Sequence, residues 1–279
     1  MKLTLRTLKY ILMLLLAAVS LLPIVWMVFG SFRPYQELFK YSSSLSPHIL
    51  IPVEFTWKNY QNVIFSTRNP FLRFIGNTLW VAGAVTAAVL LINSLAAFAF
   101  AKLRFRWKPA LFALFMSAMI IPGEVTLVPN YLLMHDLGWL NSYKALIIPS
   151  MLSVFGIFML RQFFAEIPDE LLEAARMDGA SLPRTFLSVV LPAAVPALIT
   201  LGLMTFLGNW DSYLWPLIVI NDHKMQMIQV AIAAFSSTEG TDWSRILAAN
   251  TISTVPILLL FLFLQRYYIQ GITMSGIKG

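Results

Sequence analysis

Six apolar runs, each close to the length of a membrane-crossing helix, constrain this chain more than any single residue does. They lie near 11–29, 76–101, 110–134, 145–160, 193–220 and 246–264. A helix needs about 20 mostly apolar residues to cross the hydrocarbon core of a bilayer. Lipid offers no hydrogen bonds, so an apolar run of that length must satisfy its own backbone, which predicts helices. Charged residues make up only 12% of the chain, against about 25% in soluble domains. The expectation is an all-α membrane protein with six transmembrane helices, a single domain over residues 1–279. The first run follows Lys2, Arg6 and Lys9, as a secretory signal would. It exceeds the roughly 7–15 residues of a signal core and no small-x-small cleavage site follows it, so it reads as a retained anchor.

Basic residues set the orientation, because cytoplasmic loops collect Lys and Arg. With a cytoplasmic N-terminus, the inner segments hold Lys2, Arg6 and Lys9; Lys102, Arg104, Arg106 and Lys108; Arg161, Arg176 and Arg184; and Arg266 and Lys278. These are twelve of the 20 basic residues, and the densest group is KLRFRWK at 102–108. Both termini are therefore expected in the cytoplasm, together with the polar segment 165–192. The 30–75 loop is too short and too polar for a large core of its own. Its FTWKNYQNV stretch at 55–63 reads as a short helix or turn on the membrane surface.

Several function classes find no support. The chain has no cysteine, which removes disulfides and thiolate-bound metals or clusters. His48, His135 and His223 stand apart beside predicted loops, and no H-E-x-x-H or similar cluster suggests a metal. The net charge of +7 comes without a basic stripe interleaved with aromatics, so no nucleic-acid partner is expected. Neither the G-x-x-x-x-G-K-[ST] loop that cradles nucleotide phosphates nor a G-x-S-x-G nucleophile is present. No covalent chemistry, cofactor or metal is expected in this chain.

The segment EAARMDGASLPRTFLSVVLP, residues 173–192, is a charged interruption between two apolar runs. Pro168 suits a helix start, and Asp169 and Glu170 favour its positive end. That helix should stop at Asp178-Gly179, where Gly can take a left-handed C-cap. Ser181 is placed to cap a second helix, with Pro183 in its tolerated first turn. Pro192 then marks a break before the fifth span. Ala174 and Ala175 keep one face shallow enough for a partner to approach.

This segment resembles the EAA loop of permease subunits of ATP-binding-cassette importers. The resemblance rests on Glu173, Ala174, Ala175, Gly179, Leu191 and Pro192, with Val189 where the pattern has Ile. It extends through WKNY (57–60), NT (77–78), LAAFAFAKLRF (95–105), LGWLNSY (137–143), NWDSYLWP (209–216) and the tail QRYYIQG…SGIKG (265–279), pieces similar to the carbohydrate-uptake, maltose-type branch. It implies that Glu173, Ala174, Ala175, Asp178, Gly179, Leu191 and Pro192 couple the gate to an ATPase, with Gly276, Lys278 and Gly279 reaching the same partner. It implies a second permease, a dimer of cytoplasmic ATPases that binds ATP and Mg, and an extracytoplasmic solute-binding protein. The setting would be a bacterial-type inner membrane and the cargo a sugar, oligosaccharide or related solute.

Candidate pathway residues follow from the cost of placing polar groups in lipid, about 2.5–3.5 kcal/mol for an ionised group at mid-bilayer on insertion scales. Glu124 lies within the third run, among Pro122, Gly123 and Pro129, which should kink it. Asp211 lies in the fifth, where many relatives carry Asn. Asn209, Trp210, Tyr213 and Trp215 surround it with the polar and aromatic groups that suit sugar rings. Packing against a companion subunit would equally explain these residues. Asn93 and Asn250 read as interhelical glue. An ion-coupled secondary transporter using Glu124 and Asp211 is the alternative, and it would leave residues 173–192 without a role.

Overall fold

In the computed structural model, residues 2–41, 46–66, 70–237 and 240–275 are described, with side chains between 6 and 265 apart from that of Ser237. Three helices are each long and apolar enough to cross a membrane: Arg6–Ser31 within the helix Lys2–Ser31, Phe71–Lys102, and Trp243–Gln265 within Trp243–Ser275. Three further crossings are possible only as bent pairs, Lys108–Ala118 with Gly123–Asp136, Tyr143–Ser150 with Val154–Glu166, and Leu182–Ala193 with Val195–Trp210. Their bends are 96°, 41° and 80°. A two-stranded hairpin, Ser236–Ser237 with Gly240–Thr241, is the one sheet among the described residues.

The kink expected in the third run and the break expected at Pro192 are both present, while the bend in the fourth run and the gap at 211–213 in the fifth correct the picture of uninterrupted runs. The third run breaks at 119–122, where Pro122 has extended backbone (φ −61°, ψ 139°) and starts the next helix. The fifth run, expected as one span over 193–220, has the expected break at its start and one interruption within it. Ala194 leaves helical geometry (φ −104°, ψ 14°), between Pro192 and Pro196, which remove the donors that the carbonyls four residues earlier require. A π-helical turn at Phe186–Val190 precedes that break, one of the recognised ways a helix absorbs such a disruption. The helix then ends at Trp210, and a separate short helix, Leu214–Val219, contains Pro216. A proline there denies the carbonyl of Ser212 its partner, so residues 211–213 fall out of the helix.

Contacts divide the chain into two units, Met1–Ile75 with Val230–Leu258, and Gly76–Gln229 with Leu259–Gly279. In the first, none of the most apolar stretch of Arg6–Ser31 is buried by the chain itself, so its surroundings must be lipid or another apolar surface. Beyond Ser31 the chain forms a polar lobe closed by buried side chains. Arg33, 1% exposed, donates to the carbonyls of His48 and Ile49 at 2.8 and 3.0 Å. Glu37 accepts from the N–H groups of Val53 and Glu54 at 2.7 and 2.9 Å. Asn59, on the helix Lys58–Ile64, donates to the carbonyls of Ser31 and Arg33, both at 2.8 Å. The expected short helix at 55–63 thus exists as the lobe's clasp.

The second unit has one core. Val81, Val85 and Val89 recur every fourth residue on one face of Phe71–Lys102. They join Leu160 and Phe164 of Val154–Glu166 and Ala197 and Leu201 of Val195–Trp210. Gly156 lets these three helices meet: a Cβ there would stand 2.5 Å from Asn93 Nδ2 and 3.0 Å from Leu201 Cδ1. Asn93 is fully buried and holds the Ser153 backbone on both sides, its Nδ2 donating to the carbonyl at 3.1 Å and its Oδ1 accepting from the N–H at 3.4 Å. Ser153 in turn caps the helix through Gly156 N. The expectation that Asn93 joins helices is met.

Candidate functional site

The segment 165–192 folds as a helical hairpin with one buried face and an exposed turn at 178–181. Its first arm is the helix Asp169–Met177, begun by Pro168 at the N-cap position. The arm ends as its sequence requires. Gly179 takes φ +76°, its N–H bonds the carbonyl of Arg176 at 2.9 Å, and the N–H of Ala180 bonds the carbonyl of Ala175 at 2.9 Å. This pair of bonds is the Schellman closure, which needs a left-handed residue where glycine has no Cβ penalty. Ser181 does occupy the N-cap of the next helix, Leu182–Thr185, but its side chain makes no capping bond; its carbonyl instead accepts from the N–H and the hydroxyl of Thr185. Side-chain capping at Ser181 is therefore corrected to a purely backbone start.

Burial separates the two faces of the hairpin. Leu172, Phe186 and Val190 enter the core, and Leu191 packs against it half-buried. Glu173, Ala174, Asp178, Gly179 and Pro192 are exposed, and Ala175 is half-buried. Leu171 and Leu182 are about half exposed and Met177 is 88% exposed. A single buried cation fastens the entrance of the hairpin. Lys102, whose side chain is 6% exposed, donates to Asp169 Oδ1 at 2.7 Å and to the carbonyl of Ile167 at 2.5 Å. The hydrogen bond and charge of Lys102 hold the Asp169 carboxyl below the usual carboxylate range, so this carboxyl is ionised at neutral pH. The sequence offered a signal for Lys102, the first basic residue after an apolar run, but nothing in it named Asp169 as the partner.

The candidate pathway residues are not gathered into one pocket. Asn209 returns its amide to the carbonyl of Thr205 in its own helix at 2.8 Å. Trp210 is 1% exposed and stacks on Phe206, with 5.8 Å between ring centroids, so it shows no face to a solute in this conformation. Trp215 donates to the carbonyl of Ala145 at 2.9 Å. Asp211 and Tyr213 remain exposed, and Asp211 accepts from Gln229 Nε2 at 3.2 Å. Glu124 is exposed in the first turn after the 96° bend. Among the described residues it makes no hydrogen bond or ion pair to Asp211, and no three His, Asp or Glu side chains could share a metal. Gly276, Lys278 and Gly279 lie outside the described residues.

The motifs flanking these residues do converge. Asn77 donates to the carbonyls of Lys224 and Gln226, both at 3.0 Å, and accepts from the Tyr143 hydroxyl at 3.0 Å. Thr78 accepts from the N–H of Ile228 at 2.9 Å. Asn141, with φ 54°, bonds through its Oδ1 to the N–H groups of Asn221 and Asp222. Pieces of sequence that read as family markers are thus the clamps of the 221–228 segment.

The arrangement to be identified is a set of broken apolar helices with a rigid, exposed polar hairpin between two of them. The family model described as the binding-protein-dependent transport system inner membrane component matches residues 3–274. The chain belongs to that family. The permease is 31% identical, over 95% of its own length and 93% of the relative's, to the arabinooligosaccharides transport system permease protein AraQ of Halalkalibacterium halodurans. It is 33% identical to the sn-glycerol-3-phosphate transport system permease protein UgpE of Yersinia pestis, over 82% of this chain and 84% of that one. Among solved structures, a bacterial transporter for import of the acidic polysaccharide alginate shares the fold with a TM-score of 0.81, at 22% identity over 95% of this chain and 96% of the other. The permease is accordingly a transport component of the inner membrane.

Proposed function

We propose that the permease forms half of the translocation pathway of an ATP-driven importer for a sugar, oligosaccharide or related hydroxyl-rich solute. A second permease would complete the pathway, a cytoplasmic ATPase dimer carrying ATP and Mg would drive it, and a solute-binding protein would deliver the cargo. The whole chain acts as one permease domain of six crossings, each bent pair counted once, with both termini and the 165–192 hairpin in the cytoplasm. The observation that carries this reading is the hairpin. Its first helix is closed by the turn at Gly179, its inner face is anchored in the core by Leu172, Phe186 and Val190, and its outer face offers Glu173, Ala174, Asp178 and Gly179 beside exposed Leu171, Met177 and Leu182. An apolar patch rimmed by polar groups on a rigid element suits docking of a protein partner. A carrier driven by ions alone would have no use for it. The solute class is supported by the names of the relatives, one for arabinooligosaccharides and one for sn-glycerol-3-phosphate. Glu124, Asp211 and Tyr213 are proposed to meet the solute, since they are the exposed members of the candidate set. Purification of the tagged chain in mild detergent tests the class. A second permease and an ATPase should accompany it, and Glu173→Ala should release the ATPase while the permease pair persists. A chain that purifies alone and transports after reconstitution without ATP would sink the reading.

A further inference from the structure

Among the described residues, Phe71–Lys102 is the one helix of crossing length without a proline; Lys2–Ser31 contains Pro23 and Trp243–Ser275 contains Pro256. The remaining crossings are bent by 41–96°. Its two ends grip chain segments far away in sequence. At the hairpin end, Phe98 and Lys102 lie one turn apart on the same face. Lys102 holds the entrance of the hairpin through Asp169 and the Ile167 carbonyl. Phe98 holds its second arm through Phe186, with ring centroids 5.2 Å apart. At the opposite end, Asn77 and Thr78 hold the backbone of Lys224, Gln226 and Ile228. The next residue, Gln229, bonds Asp211. Thr78 and Lys102 are separated by 24 residues of unbroken helix, about 36 Å at a rise of about 1.5 Å per residue.

We propose that the second span is a rigid transmission rod between the docking hairpin and the 221–229 segment, with Lys102 and Asn77 as the positioning residues at its two ends. The proposal rests on the docking role of the hairpin. Five of the grips are hydrogen bonds to backbone or to a carboxylate, and they fix direction as well as distance. A displacement imposed on Asp169–Met177 therefore moves the second span without being absorbed by a bend. The same displacement reaches Asp211 through Gln229. Packed cores move as bodies rather than deforming continuously, and a contiguous chain of such contacts is what carries coupling between distant sites.

The test uses the complete complex in liposomes, with its ATPase and binding protein. Because the permease has no cysteine, Arg184→Cys and Lys224→Cys can carry spin labels, with partner cysteines removed. The expected result is one distance distribution between positions 184 and 224, the same in the nucleotide-free and ATP-bound states. Lys102→Met should broaden it and lower solute moved per ATP roughly fivefold or more, while Lys102→Arg restores both. Asn77→Ala should do the same with the ATPase still bound. A shift of the wild-type distance between the two states, or wild-type stoichiometry in Lys102→Met, overturns the rod. Should Lys102→Met fail to assemble, Asp169→Asn replaces it with the same two outcomes, its carboxylate being 76% exposed. Glu173→Ala and Gly179→Asp are measured in parallel. If they lose the ATPase while Lys102→Met keeps full stoichiometry, the rod alone fails. If none of them changes anything, the docking reading fails instead.

Discussion

The lobe at residues 31–64 and the hairpin at 167–193 are both polar excursions from apolar helices, yet they differ in which charges they bury. The lobe buries one pair of opposite charges: the Arg33 and Glu37 side chains are 2% and 8% exposed and bond the lobe's own backbone, while Lys40, Glu54 and Lys58 stay exposed. The hairpin turns its charges outward and buries only Lys102, a residue lent by the neighbouring span. A segment that consumes its own hydrogen-bonding capacity is complete as it stands. One that buries none of its own charges keeps all of them available to a partner. Burial sets the energetic scale as well, since breaking a buried ion pair costs several kcal/mol and breaking an exposed one costs little.

Substitutions at Gly179 probe the outward-facing side and should have the largest functional effect. Gly179→Asp is expected to leave insertion intact and to cut uptake per ATP more than about tenfold, a coupling loss within the usual allosteric range. Gly179→Asn should retain most coupling, because Asn tolerates the left-handed backbone. No atom lies within 4 Å of the space where a Cβ would sit, so a harmful substitution there acts through backbone strain or the partner rather than through internal crowding. Equal uptake by Gly179→Asp and wild type would erase the distinction between hairpin and lobe.

Arg33→Ala probes the inward-facing side. It removes the counter-charge of the buried Glu37 and leaves the carbonyls of His48 and Ile49 without their donor, and should destabilise the permease by about 3 kcal/mol. The measurement is the midpoint of thermal inactivation in detergent, with coupling in the surviving fraction unchanged. A variant as stable as wild type but uncoupled would show that the lobe also serves a partner. The smallest effect is expected at Asp211. Asp211→Ala should alter the rate or the range of solutes severalfold while assembly is retained, and unaffected uptake would leave Asp211 a purely structural partner of Gln229.

Length and apolarity made the helical class and the approximate positions of the apolar segments legible, because a bilayer allows few alternatives to a helix; how many unbroken helices they form was not. The hairpin was legible for a different reason: Pro168, Gly179 and Pro183 act locally, and each fixes backbone geometry within a few residues of itself. The bends were less so. Pro122, Pro192, Pro196 and Pro216 announced disruption, but the same residue type sits inside unbroken helix at Pro23 and Pro256. Whether proline kinks, ends or merely occupies a helix depends on what packs against it. Trp210 shows the same limit, since its side chain suits a sugar ring and a core equally well, and the core took it.

By itself, the sequence determined what must be satisfied close to home: helices in lipid and a capped turn at Gly179. Tertiary structure decided the pairings across 60 to 150 residues, Lys102 with Asp169, Asn93 with Ser153, Asn77 and Thr78 with 224–228. The physical reason is that a buried polar side chain announces only that it needs a partner. Which partner it finds is settled by how the helices pack.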